Sequence, residues 1–256
     1  MKTNPYIGIT DFTSFDQVEK MLAVFNSNVP ASCNYLLHVG VMMSFKTLHN
    51  IDTKWSVAFP PKESIAKIFS SDEVFNCLHY VDYNNKEDLA NSLESAIYYG
   101  GKNLDAIQLD TIWPSPKIIR EVFKDKNLSV ILQIGKNAFE EVDEDPRQII
   151  KRISMYGNSI QYVLLDKSMG KGLGMNAYKL MFYIEKIKRE FPHLRIVVAG
   201  GLGPTTMYLA KDIFERYKGI SIDAQGRLRP SGNALEPIDW SMAETYLTKA
   251  VNMVCK

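Results

Sequence analysis

The chain has too few cysteines for a disulfide-built scaffold. Cys33, Cys77 and Cys255 are scattered through 256 residues with no C-x-x-C spacing, a set that predicts reduced thiols and excludes a thiolate zinc site. Long hydrophobic runs are also missing. The apolar stretches are short, far below the roughly 18 to 20 residues a membrane span needs, and residues 1–6 carry no apolar signal core. The expectation is a soluble, cytoplasmic chain with no membrane partner. Neither sign of charge is in excess, since 30 Lys and Arg stand against 29 Asp and Glu. With no basic cluster interleaved with aromatics, nucleic acid is not an expected partner. The four histidines show neither H-x-x-x-H nor H-E-x-x-H spacing, so no metal and no cofactor is expected.

What the chain does have is a core. Hydrophobic residues make up 46% of it, and no low-complexity tract, charge run or Pro/Gly linker divides it, so residues 1–256 read as one domain. Short β-branched runs recur, each followed by a polar turn and a segment with apolar residues at helical spacing. The strand candidates are residues 6–10, 36–43, 77–83, 105–110, 129–134, 161–166, 195–199 and 219–223. Continuously apolar strands such as Val163-Leu164-Leu165 and Ile196-Val197-Val198 suit a parallel sheet buried on both faces. Helix starts are expected at Pro60-Pro61, Pro146 and Pro204, where a first turn tolerates a residue without an N–H. Eight β-then-α units at this length fit a (β/α)₈ TIM barrel. An open doubly wound sheet would call for a Gly-rich fingerprint after the first strand, and Gly8-Ile9-Thr10 offers none.

In such a barrel the reactive groups sit at the C-terminal ends of strands. After the seventh strand, Ala199-Gly200-Gly201-Leu202-Gly203-Pro204-Thr205-Thr206 leads through glycines toward a helix, a geometry suited to phosphate. The eighth strand ends Ser221-Ile222-Asp223-Ala224-Gln225-Gly226 and brings small and polar groups to the same corner. There Asp223 would repel a phosphate unless it turns away. Asp166 closes the sixth strand and is followed by Lys167, Gly170, Lys171, Gly172 and Gly174, a loop able to close over an anion. In the fourth strand Gln108 and Asp110 share a face. Asp110 and Asp166 are therefore the acid and base candidates, with Asp11 after the first strand as a further carboxylate. His49, in the loop after the second strand, is the histidine expected to reach the pocket, and His38, His79 and His193 are assigned core or surface roles.

Taken together, these residues resemble the phosphoribosylanthranilate isomerase family. Tyr6-Ile7-Gly8-Ile9-Thr10 is similar to the family's K-I-C-G-I-T, and His38-Val39-Gly40-Val41 to A-x-G-F. Ile107-Gln108-Leu109-Asp110 resembles L-Q-L-H-G, Leu164-Leu165-Asp166 with Gly170 to Gly174 resembles L-L-D and its G-G-T-G loop, and Ala199 to Pro204 resembles A-G-G-L-N-P. The resemblance implies an Amadori rearrangement with Asp166 as acid, and phosphate held by Gly200, Gly201 and the eighth-strand loop. The family's base, a cysteine, is replaced by Ile7, and the histidine of L-Q-L-H-G by Asp110. Lys46 and His49 lie where the family holds the substrate carboxylate, and extra residues 50–59 enlarge the second loop. The family's V-D-V-S aligns its aspartate with Ser221 or, shifted, with Asp223.

Three readings follow, in order. The first is a barrel enzyme performing acid/base chemistry, such as isomerisation, on a small phosphorylated metabolite. The second is a true phosphoribosylanthranilate isomerase of tryptophan biosynthesis that recruits a substitute base such as Asp11 or Asp110. The third is a non-catalytic ligand-binding or assembly barrel. All three leave the oligomeric state open, a homodimer included.

Overall fold

The structure is a computed structural model, and it describes residues 1–84, 88–166 and 176–255. Eight parallel strands close into a barrel in sequence order, each hydrogen-bonded to the next and the eighth to the first. The strands are β1 (Tyr6–Thr10), β2 (Leu36–Ser44), β3 (Phe75–Val81), β4 (Ala106–Asp110), β5 (Ser129–Gly135), β6 (Tyr162–Asp166), β7 (Arg195–Ala199) and β8 (Ser221–Ala224). Between them run α1 (Phe15–Asn28), α2 (Phe45–Leu48), α3 (Ile65–Ile68), α4 (Leu89–Gly100), α5 (Pro116–Phe123), α6 (Lys136–Glu140), α7 (Pro146–Ser154), α8 (Ala177–Glu190) and α9 (Lys211–Arg216), and α10 (Trp240–Val254) follows β8. This is the (β/α)₈ TIM barrel that the alternation predicts.

The period of two in each strand divides the core into two layers. Ile7, Ile9, Val39, Val41, Leu78, Ile107, Val163 and Val198 point outward and pack under the helices. Tyr6, Phe75, Cys77, Ala106, Ile131, Tyr162, Leu164 and Val197 point inward and fill the lower barrel. Tyr6 stacks on His38 with ring centroids 4.4 Å apart, and neither His38 nitrogen has a hydrogen-bond partner among the described residues. Burial holds the pKa of His38 down to about 3, so it is a neutral filler of the barrel floor.

Helix starts follow capping chemistry where the sequence provides it. Ser115 accepts from Ile118 N before Pro116, and Asp145 accepts from Arg147 N before Pro146, each satisfying an amide that the first turn leaves free. Two expected starts differ. After Pro60-Pro61 the chain makes a 3₁₀ turn, Lys62–Ser64, and only the four-residue α3. Beyond Pro204 a 3₁₀ turn, Met207–Ala210, separates the glycines from α9. The strands shift too. β3 begins at Phe75, two residues before the expected start, and releases Asp82 and Tyr83 into the following loop. β8 begins at Ser221 because Gly219 has φ +71°, outside the extended region.

The cysteines correct the sequence reading outright. Cys33, before β2, and Cys255, after α10, form a disulfide across 222 residues with Cα atoms 5.3 Å apart, within the usual reach of such a bridge. Only Cys77 is free, and it is buried. Spacing along the chain cannot reveal a pair made by the approach of α1 to α10. Disulfides persist in oxidising surroundings, so the cysteines no longer argue for a reducing compartment. Among the described residues no helix is long and apolar enough to cross a membrane.

Candidate active site

A cavity of about 240 Å³ opens at the C-terminal ends of the strands, the end at which strand-to-helix loops converge. Its floor follows from register. Gly8 pairs with Asp223, which also pairs with Ala199, while Met42, His79 and Gln108 lie level on β2, β3 and β4. All of these except Gly8 line the cavity.

Asp223 enters the barrel over Gly8. Its Oδ2 accepts from Thr10 Oγ1 at 2.8 Å, and its buried Oδ1 has no hydrogen-bond partner among the described residues. Burial raises its pKa from 3.8 to about 7. The Thr10 hydrogen bond and His79 pull the other way, and Asp11 and Asp166 add to the rise. Near neutral pH this carboxyl exchanges its proton. A β-carbon on residue 8 would stand 2.5 Å from Asp223 Oδ1 and 3.0 Å from Ile222 O. Gly8→Ala is expected to cost about 1–3 kcal/mol, the usual range for overpacking, and to displace Asp223. Thermal melts together with a pH titration of the carboxyl check this, and an alanine variant unchanged in both would refute the close fit.

Opposite lies His79, whose Nε2 is 3.5 Å from Asp110 Oδ2. Burial opposes its charge, but the hydrogen bond to Asp110 and the charges of Asp110, Asp223 and Asp11 outweigh that cost, so its pKa rises above 6.5. Asp110 is fixed on its other side by Tyr83, whose hydroxyl donates to Oδ1 at 2.7 Å. Burial and the Asp110 charge keep that phenol protonated. Gln108 Nε2 donates to Gln133 Oε1 at 2.7 Å and lies 3.3 Å from His79 Nδ1. Rotation of both amides would turn an acceptor toward the imidazole, so this pair can serve either protonation state of His79.

The remaining wall is apolar and aromatic. Trp55 and Phe59 stack with centroids 5.5 Å apart, and both line the cavity with Leu202. Residues 50–59, read from sequence as an enlarged second loop, thus supply one side of the mouth. Gly200 and Gly201, directly before Leu202, also line the cavity, with φ of 114° and 69°.

Of the residues expected from sequence, Asp110, Asp166, Gln108, Gly200, Gly201, Asp223, Gln225 and Gly226 meet around this cavity. Others lie elsewhere. Ser221 is one layer deeper, where its Oγ accepts from Tyr6 N at 3.0 Å. Lys46 is exposed, and His49 faces α4, 3.1 Å from Ser92 Oγ. Asp11 is paired with Arg229 behind the wall. Gly172 and Gly174, with Lys167, Gly170 and Lys171, fall outside the described residues. Ile7, where the resemblance puts the family's cysteine, points outward into the layer beneath the helices. The sequence reading missed His79 and Tyr83 as site residues, and the signal for His79 was its place two residues after Cys77 and four after Phe75, on the same face of the strand. Among the described residues no His, Cys, Asp and Glu cluster could hold a metal.

No protein-family model matches the sequence, and no curated protein does. Solved structures do resemble the fold. The tryptophan synthase alpha chain of Legionella pneumophila subsp. pneumophila matches with TM-score 0.52 and 14% identity, over 98% of this chain and 92% of that one. A protein described as QR15, an aldolase, gives TM-score 0.53 and 12% identity over 98% and 97%. The Rubisco of Pyrococcus horikoshii OT3 gives 0.51 and 14% over 97% of this chain and 60% of that one. At such identities the likeness extends to the barrel alone.

Proposed function

We propose that the protein is an acid/base enzyme of the TIM-barrel class, acting by proton transfer on a small phosphorylated substrate. The observation that carries this reading is the meeting, on the floor of one cavity, of Asp223, whose carboxyl is pushed up to about 7 by burial, and His79, whose imidazole pKa is raised beside Asp110. Such a pair can exchange roles as base and acid, as an isomerisation needs. Asp166 borders the same space and stands in the position that the family resemblance gives to the acid.

The phosphate end of the reading rests on Gly200, Gly201 and Gly226. The helix dipole expected to assist them is not available, because α9 starts ten residues beyond Gly201. Backbone N–H groups of the positive-φ glycines would bind the anion instead. Asp223 is less repulsive than its type suggests, since it keeps a proton up to about pH 7. If the substrate is phosphoribosylanthranilate, the base comes from Asp223 or His79, because Ile7 faces away and Asp11 is engaged with Arg229.

The test is proton exchange in D₂O, followed by NMR, over a panel of aldose, ketose and aminosugar phosphates that includes phosphoribosylanthranilate. Deuterium is expected at the carbon beside the carbonyl of at least one member. Its dephosphorylated counterpart should react poorly, and Gly201→Leu should raise KM for the phosphorylated form at least tenfold. Binding without exchange would point to a non-catalytic barrel, and exchange insensitive to the phosphate would remove that half of the proposal.

A further inference from the structure

Behind the cavity wall, outside its lining, a buried ion pair ties the end of β1 to the loop after β8. Asp11 directly follows Thr10 and adopts φ 94°, a conformation unfavourable to any residue but glycine. Its backbone N–H donates to Gly40 O at 2.9 Å. Its carboxylate Oδ2 receives both Arg229 Nη2 and Gln225 Nε2, the latter at 3.0 Å. Arg229 is 3% exposed, and its other donors go to the carbonyls of Gln225, at 3.0 Å, and Glu236.

A buried pair of this kind is a weak source of stability, because desolvation offsets most of the attraction. What it does supply is register. Every donor of Arg229 described above ends on Asp11 or on the loop that follows β8, and that loop carries Gln225, Gly226 and Ala234 of the cavity wall. Thr10, next in sequence to Asp11, is the residue that holds Asp223.

We propose that Arg229 and Asp11 form a latch that clamps the Gln225 wall to the end of β1 and sets the environment of the Asp223 carboxyl opposite His79. They are positioning residues, acting through Thr10 and Gln225, and the role rests on the proton-transfer reading of Asp223. The latch acts electrostatically as well as mechanically. The groups facing Asp223 are Thr10 from β1, Asp11 after it, His79 from β3 and Asp166 from β6, with Tyr6, Cys77 and Tyr246 neutral around its base. Among these, the Asp11 charge raises the pKa of both Asp223 and His79, and Arg229 is its counter-ion.

Two substitutions therefore act in opposite directions. Asp11→Asn keeps an acceptor for Gln225 and Arg229 but deletes the charge, so the Asp223 midpoint should fall by about half a pH unit or more. Arg229→Met leaves the Asp11 charge unneutralised, so the midpoint should rise. The carboxyl is followed by infrared difference titration, with Asp223→Asn assigning the band, and His79 by NMR. A structural pair would change melting temperature without such opposed shifts. Unmoved midpoints in Asp11→Asn overturn the latch even if Arg229→Met fails to fold. The shift is read from wild type wherever its midpoint lies, whereas a wild-type midpoint near 4 would refute the proton-transfer reading instead.

Discussion

Asp223→Asn is expected to abolish turnover and, above neutral pH, to stabilise the fold. Loss of a positioned proton-transfer group costs roughly 10² to 10⁴ in rate, so exchange on any responsive sugar phosphate should fall by at least a hundredfold. The stability effect follows from the sign of the displacement. The folded carboxyl titrates near 7 against an ordinary 3.8, so the native state binds the proton more tightly than the unfolded chain. That contribution is complete below about pH 4 and is lost as pH rises through 7. At 1.36 kcal/mol per pH unit the difference is roughly 4 kcal/mol as an upper bound. His79, also raised, weakens the native state in the same direction as it loses its proton. Asparagine still accepts from Thr10 and never carries the charge. Melts at pH 5 and 8.5 should therefore show wild type losing stability with pH and the variant losing much less. Parallel curves would mean that Asp223 is ionised throughout, and the acid/base assignment would fall with it.

The rate should also be bell-shaped in pH when Asp223 acts as base and His79 as acid. The rising limb then belongs to loss of the Asp223 proton and the falling limb to loss of the His79 proton. Because the two groups interact, the limbs report the pair rather than either residue.

The barrel was legible because short strand-like runs alternate eight times with helical segments, and runs such as Val163-Leu164-Leu165 and Ile196-Val197-Val198 are continuously apolar, as a sheet covered on both faces requires. Strand-end polar residues were legible as a set for the same reason. Which of them enter the pocket was not, because it depends on a one-residue choice of face. Ser221 and Asp223 share a face but lie in different layers, and only the pairing of Asp223 with Gly8 shows which one reaches the cavity. Asp11 and Thr10 lie next to each other, and it is Thr10 that faces inward. His79 was hidden by a strand placed two residues late. The path beyond Gly201 was misjudged because a proline and two threonines suit a turn as well as a helix start.

The Cys33–Cys255 bridge leads to the second large effect. It closes a loop of 222 residues, and the chain-entropy relation assigns such a loop roughly 5 kcal/mol, the top of the range observed for native bridges. The contacts it secures are those of α1 with α10, which pack against each other beside β1, so opening it frees the last turn of α10 and the segment entering β2. Reduction by a dithiol, or Cys255→Ser, should lower the melting temperature by ten degrees or more, since in a domain of this size each kcal/mol moves the midpoint by about 2–4 °C. The mouth of the candidate site lies at the opposite end of the barrel, so any activity it supports at room temperature should persist while heat resistance is lost. Thiol counting supplies the independent check: without reductant the unfolded chain should show one reactive thiol, from Cys77, and with reductant three. Three thiols in the absence of reductant, together with a melting temperature indifferent to dithiol, would mean that the chain in solution keeps these cysteines apart.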